Sequence, residues 1–116
     1  KIFYSKDMPN SWICFDFKDH KIIPTNYTLK SSSTAANGQK PKSWVIEGSN
    51  DNNSWEVIDE QVNCDYLNGS NLIHTFKIDQ QKSNAFQYIR MRLTGVNWQN
   101  NNCLIISKIE FYGQFI

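Results

Sequence analysis

The chain has 116 residues, of which 40% are hydrophobic and 14% aromatic, enough for one packed core without a metal or a disulfide framework. Its 12 basic and 11 acidic residues leave a formal charge of +1, which excludes a bulk electrostatic pull on nucleic acid or an acidic membrane. No run of about 18 apolar residues occurs, so no segment reads as a membrane-spanning helix.

The first residue is a lysine, and the chain is expected to be part of something longer. Three cysteines, Cys14, Cys64 and Cys103, are scattered and odd in number, which favours a reducing compartment and a cytoplasmic location. Glycosylation-type triplets begin at Asn26, Asn52 and Asn68, but a chain this rich in asparagine generates them by chance, and extracellular is the alternative.

The elements predicted along the chain all follow a period of two. Residues 11–17 form a strand with Ile13, Phe15 and Phe17 on one face and Trp12 and Cys14 on the other. Residues 19–21 make a turn, and residues 22–24 follow with a proline that marks an edge or the start of a strand. Residues 27–30 are a further strand, and residues 31–42 a long polar loop. Residues 44–47 and 55–58 form a hairpin around a Gly-Ser-Asn-Asp turn, with Trp12, Trp44 and Trp55 expected in the core. Residues 63–71 are polar and turn-rich.

Residues 73–78 alternate, with Ile73, Thr75 and Lys77 opposite His74, Phe76 and Ile78. Residues 86–94 alternate most clearly, Ile89, Met91 and Leu93 facing away from Tyr88, Arg90 and Arg92. Residues 96–102 are a polar loop carrying Trp98, and residues 104–113 a closing strand with Ile109 and Phe111 inward. No stretch of about 12 residues has helical periodicity, so the fold class is all-β, an antiparallel sandwich or barrel.

Five ordered segments carry a family resemblance. They are Trp12-Ile13-Cys14-Phe15-Asp16-Phe17, residues 22–31 with Pro24-Thr25 and Tyr27, the Trp44 to Trp55 hairpin, residues 86–95, and the closing Ile109-Glu110-Phe111-Tyr112-Gly113. Together they resemble the discoidin, or coagulation-factor type C, domains of the galactose-binding-like superfamily. The resemblance implies a jelly-roll β-sandwich over residues 1–116, lacking its N-terminal strand, and a recognition module rather than an enzyme. The segment around Pro24 and Tyr27 is similar to the intracellular branch, whose modules sit beside other interaction domains or in ciliary assemblies. The disulfide that ties the ends in the secreted branch has no counterpart here. Where carbohydrate-binding relatives place a calcium-ligating glutamate, this chain has Lys108, so no metal or other cofactor is expected.

The candidate binding residues are Lys40, Lys42, Asn97, Trp98, Asn100, Arg90 and Arg92. Lys30, Lys40 and Lys42 flank or occupy one loop and suit phosphate or an acidic surface, or simply solvate that loop. Trp98 among amides suits a protein contact or a sugar face, or folds back as a cap. Arg90 and Arg92 either clamp an oxyanion or pair with Glu47 or Glu110. Asp16 and Asp51 are read as caps of backbone amides. His20 and His74 have no nucleophile motif beside them, and no phosphate loop or metalloprotease motif occurs. The expected function is therefore docking of another protein through end loops. A carbohydrate-binding domain and a purely architectural module in a ciliary or cytoskeletal assembly are the alternatives.

Overall fold

The computed structural model describes residues 2–116, which form nine strands and no helix. They are β1 (Phe3–Tyr4), β2 (Trp12–Asp16), β3 (Ile22–Lys30), β4 (Trp44–Ser49), β5 (Glu56–Gln61), β6 (Ile73–Lys77), β7 (Tyr88–Leu93), β8 (Ile105–Ile106) and β9 (Lys108–Phe115). All pairings are antiparallel. One sheet has the order β2-β7-β4-β5, a second β6-β3-β9, and β1 pairs with β8 in a short ribbon.

The alternation read from the sequence explains the layering. Ile89, Met91 and Leu93 of β7, with Trp44 and Ile46 of β4, are buried on one face of the four-stranded sheet. Tyr27 and Leu29 of β3, Phe76 of β6 and Ile109 of β9 face them from the other sheet. Removing this much apolar surface from water is the main drive for pairing the layers. The aromatic centre is specific: Tyr27 stacks on Phe76 at 5.0 Å, and Trp44 meets Phe76 edge-on at 5.5 Å.

Several expectations are corrected. Residues 22–24 and 27–30 are one strand, because Pro24 lies where β6 does not yet pair and its missing N–H costs nothing on that side. The register with β9 breaks between Pro24 and Asn26, and there the backbone of β9 closes on β3. A Cβ on Gly113 would lie 2.0 Å from the Ile23 carbonyl oxygen, so only glycine fits. Residues 104–113 are two strands, split at Ser107, whose N–H turns to the Lys30 carbonyl at 2.9 Å. The β1–β8 ribbon was not anticipated.

The tryptophans also divide. Trp44 is fully buried as expected, but Trp12 is 53% exposed and Trp55 half-buried. Alternation puts Trp12 on the face opposite Ile13 and Phe15, which is the outer face of the four-stranded sheet. Arg90 lies over both rings, 3.9 Å from the Trp55 centroid and 5.7 Å from that of Trp12.

A bulge links the two sheets. Ile46 pairs with Asp59 and Glu47 with Val57, leaving Ile58 as the extra residue. Ile58 fills the core, while the next residue, Asp59, accepts a short hydrogen bond from the Tyr27 hydroxyl. That hydroxyl in turn accepts one from the Trp44 indole N–H at 3.1 Å. Burial, followed by the Asp59 charge, pushes the Tyr27 hydroxyl well above the ordinary phenol range, so it stays a donor. Replacing Tyr27 by Phe removes one acceptor and one donor while keeping the ring. The variant is expected to lose about 2 kcal/mol, read as a lower urea midpoint with an unchanged slope.

Candidate functional site

Seven of the described non-glycine residues have positive φ, and six of them are asparagines, including Asn37 and Asn100. Asparagine tolerates the left-handed region because its short amide bonds locally. Asn37, Asn63, Asn71 and Asn100 shape the loops at one end of the sandwich into a rim, whereas Lys18 and Asn52 turn the chain at the other end.

Asn97 organises one side of that rim. It is almost fully buried, and its Nδ2 donates to Asn101 Oδ1 at 2.7 Å and to the Cys103 carbonyl at 2.9 Å. Its Oδ1 accepts from the N–H groups of Gln99 and Asn101. An amide so engaged holds the 97–103 loop and presents Gln99 outward. Asn100 is exposed, with φ 66 and its N–H on the Asn97 carbonyl.

The other side is residues 31–43. Lys40, expected in a solvated loop, is 0% exposed. Its Nζ donates to the Ser32 carbonyl at 2.7 Å and to Ser32 Oγ at 2.8 Å. The loop curls inward because the Lys40 stem packs inside and its backbone is pinned at both polar groups. The Lys40 N–H bonds the Gly38 carbonyl, and its carbonyl accepts the Trp98 N–H at 3.1 Å. Desolvation lowers the Lys40 pKa from the ordinary lysine range.

Trp98 is half-buried rather than exposed, its indole N–H reaching the Cys64 carbonyl at 3.4 Å. The Lys42 ammonium covers the ring at 4.6 Å. Lys40, Lys42, Asn97 and Trp98 are thus brought together, but as the scaffold of the rim.

Between the loops lies a cleft of about 310 Å³ lined by Ile2, Tyr4, Ser32–Thr34, Gly38, Gln39, Gln99 and Ile105. The β1–β8 ribbon supplies its apolar wall. Tyr4 pairs with Ile105, so both point to the cleft, while Phe3 and its partner Ile106 point to the core. The ribbon is fastened by Ser5, whose N–H donates to the Leu104 carbonyl and whose Oγ accepts the Leu104 N–H, both at 2.9 Å. Tyr4 is 76% exposed. The Ser33 hydroxyl and the Gln39 and Gln99 side-chain amides make no hydrogen bond among the described residues.

Sequence reasoning named the two loops but missed Tyr4, Gln39 and Ile105. Tyr4 and Ile105 gave no local signal, because β1 is two residues long and pairs with a segment about a hundred residues away, and Gln39 was one polar residue among many in its loop.

Arg90 and Arg92 lie elsewhere, on the outer face of the four-stranded sheet. Glu47 is buried between them, its Oε1 accepting from Arg90 Nε and from Arg92 Nε, each at 2.9 Å. Arg92 also donates to Glu47 Oε2 at 3.3 Å and to Asn10 Oδ1 at 2.9 Å. Of the two carboxylate partners considered, Glu47 is therefore the one used, while Glu110 pairs with Lys108 at 3.4 Å. Asp16 and Asp51 do cap amides: Asp16 takes the Lys18 N–H, and Asp51 the Asn53 and Ser54 N–H groups. Among the described residues no group of three His, Cys, Asp or Glu side chains is placed to hold a metal ion.

Burial alone would raise the Glu47 pKa, but hydrogen bonds from Arg92 and Arg90, then their charges, outweigh it and hold the carboxyl below its ordinary value. A depressed folded-state pKa stabilises above the unfolded value of 4.5 and is lost as pH falls through the folded one. The stability of the domain is expected to drop as pH falls below about 4.5, and Glu47→Gln to flatten that part of the profile. Chemical denaturation at several pH values reads both.

Solved structures with the same architecture include several carbohydrate-binding modules. A CBM32 module from Clostridium perfringens, solved in complex with GalNAc-β-1,3-galactose, superposes with TM-score 0.70 at 17% identity, covering 97% of this chain and 75% of that one. The C-terminal domain of a chitobiase from Bacteroides fragilis gives 0.71 at 19% identity, over 99% and 74%. A chitosan-binding module of a chitosanase/glucanase from Paenibacillus sp. IK-5 gives 0.65 at 18%, over 97% and 75%. No protein of curated function matches the chain. The structural likenesses show the fold, an antiparallel galactose-binding-like β-sandwich, as the sequence resemblance implied. At the level of sequence, the model of the Sad1/UNC-like C-terminal family matches residues 4–115, and the chain belongs to that family.

Proposed function

We propose that this domain is a non-catalytic carbohydrate-binding module whose site is the end-loop cleft. The observation that carries the reading is the lining. An exposed tyrosine stands beside two uncommitted carboxamides and a free hydroxyl, with no charged side chain among the described residues of the wall. A sugar offers an apolar C–H face for the Tyr4 ring and hydroxyls for Gln39, Gln99 and Ser33. The fold's recurrence in modules solved with or named for sugars supports the same reading.

The expected protein contact through a desolvated Trp98 gives way here, because that indole is already half-buried and hydrogen-bonded. A protein-docking role retains support from a different surface. Trp12, Trp55, Arg90 and the exposed Val57 share the outer face of the four-stranded sheet, a grouping of the kind found at interface centres. Three free cysteines support a reducing compartment for either role.

Titration of galactose, N-acetylgalactosamine and a chitosan oligosaccharide, followed by amide NMR, is expected to shift residues around Tyr4, Gln39 and Gln99 at millimolar concentration. Tyr4→Ala is expected to weaken binding about tenfold or more with the fold intact, since the ring is outside the core. Indifference to all three sugars would remove this reading. A Trp12→Ala variant that loses a co-purifying protein would then favour the sheet face.

A further inference from the structure

We propose that the end-loop cleft prefers a sugar bearing a carboxylate, a uronic acid, over the neutral sugar of the same ring, and that Lys40 is the source of the preference. This rests on the carbohydrate-binding reading of the same cleft.

Lys40 is fully buried, yet no carboxylate pairs with it. The ion pairs among the described residues are Arg90 and Arg92 with Glu47, and Lys108 with Glu110. A buried ammonium ordinarily has an acid beside it, because the loss of hydration is otherwise met only by dipoles. Here those dipoles both belong to Ser32, a residue of the cleft wall. An ammonium has no lone pair, so at 2.8 Å Lys40 must donate and Ser32 Oγ must accept. The Ser32 O–H is thereby turned away from Lys40, toward Thr34 Oγ1 at 3.2 Å or into the cleft. The wall thus presents a hydroxyl donor polarised by a positive charge one hydrogen bond behind it.

The surroundings reinforce the sign. The cleft lining contains no Asp or Glu to repel an anion. Lys42, stacked on Trp98, has no ion-pair partner among the described residues. Two acids belong to the segments at this end, Asp7, which is exposed and occupied by the Asn102 N–H at 2.7 Å, and Asp65, which is exposed in the 63–71 loop, and neither lines the cleft. A charge inside the protein acts through a lower effective dielectric than one in water, so the Lys40 field in the cleft exceeds that of a surface lysine.

The test compares galactose with galacturonate, which share a ring and differ at one carbon, by calorimetric titration at low salt. The expected result is galacturonate tighter by about tenfold. Lys40→Met, which keeps an apolar stem and removes the charge, is expected to bring that ratio to about one. If Lys40→Met does not fold, Ser32→Ala keeps the backbone carbonyl that holds Lys40, removes the relaying hydroxyl, and is expected to lower the ratio severalfold. Equal affinity for the two sugars in the wild type overturns this inference and leaves the carbohydrate reading standing. A preference that survives both substitutions overturns the role of Lys40. Failure of both sugars to bind overturns the reading and the inference together.

Discussion

The Tyr27 hydroxyl is the polar contact on which the packing of the two sheets depends. It belongs to β3, the central strand of one sheet, and holds Trp44 and Asp59 of the other. Apolar burial by itself fixes neither the register nor the rotation of one sheet on another. A buried donor and acceptor must be matched, and each mismatch costs more than a lost contact. Tyr27 and Trp44 also both pack on Phe76, one stacked and one edge-on, so the polar match and the ring packing select the same alignment. The bulge that delivers Asp59 is part of the same device, since without the extra residue Asp59 and Ile58 would point to opposite faces.

With the sheets fixed, side-chain amides organise the loops. Asn97 satisfies four polar groups of its own loop, and Asn68 and Asn37 exchange bonds between two others, with Asn37 N–H to Asn68 Oδ1 at 2.7 Å and Asn68 Nδ2 to Asn37 Oδ1 at 3.1 Å. A rim held this way is ordered before any ligand arrives. The conformational entropy of the loops is then lost on folding rather than on binding, which favours recognition of small polar ligands.

The sheet faces were legible in the sequence because a period of two is a local signal. The inward positions of β7 and β6 follow directly from it. What was not legible has non-local causes. Whether Trp12 is core or surface depends on its face and on Arg90 lying over its ring, whereas an aromatic alternating within a strand reads as core. Lys40 reads as a solvated lysine in a polar loop, and only the fold shows that Ser32 closes over its ammonium. Tyr4 carries no pattern at all until Ile105 is paired beside it. The loops read from sequence as polar connections, but which of their polar groups are spent on the scaffold depends on contacts between segments distant in sequence.

The two cationic clusters make that distinction in energetic terms. Arg90 and Arg92 are partly buried with a carboxylate between them, and three of their N–H groups bond to it. Such a cluster meets its desolvation cost internally and leaves little net field. Lys40 has no such counter-charge, so burying it costs stability that the fold does not recover from Ser32 alone. A methionine would fill the same space at lower cost, and replacing buried ions by apolar groups of similar volume is often stabilising. The lysine therefore has no advantage as packing. Its location behind one wall of a cleft with no charged side chain among its described lining residues gives its charge a place to act, which the arginines, paired with Glu47 on the outer sheet face, do not have.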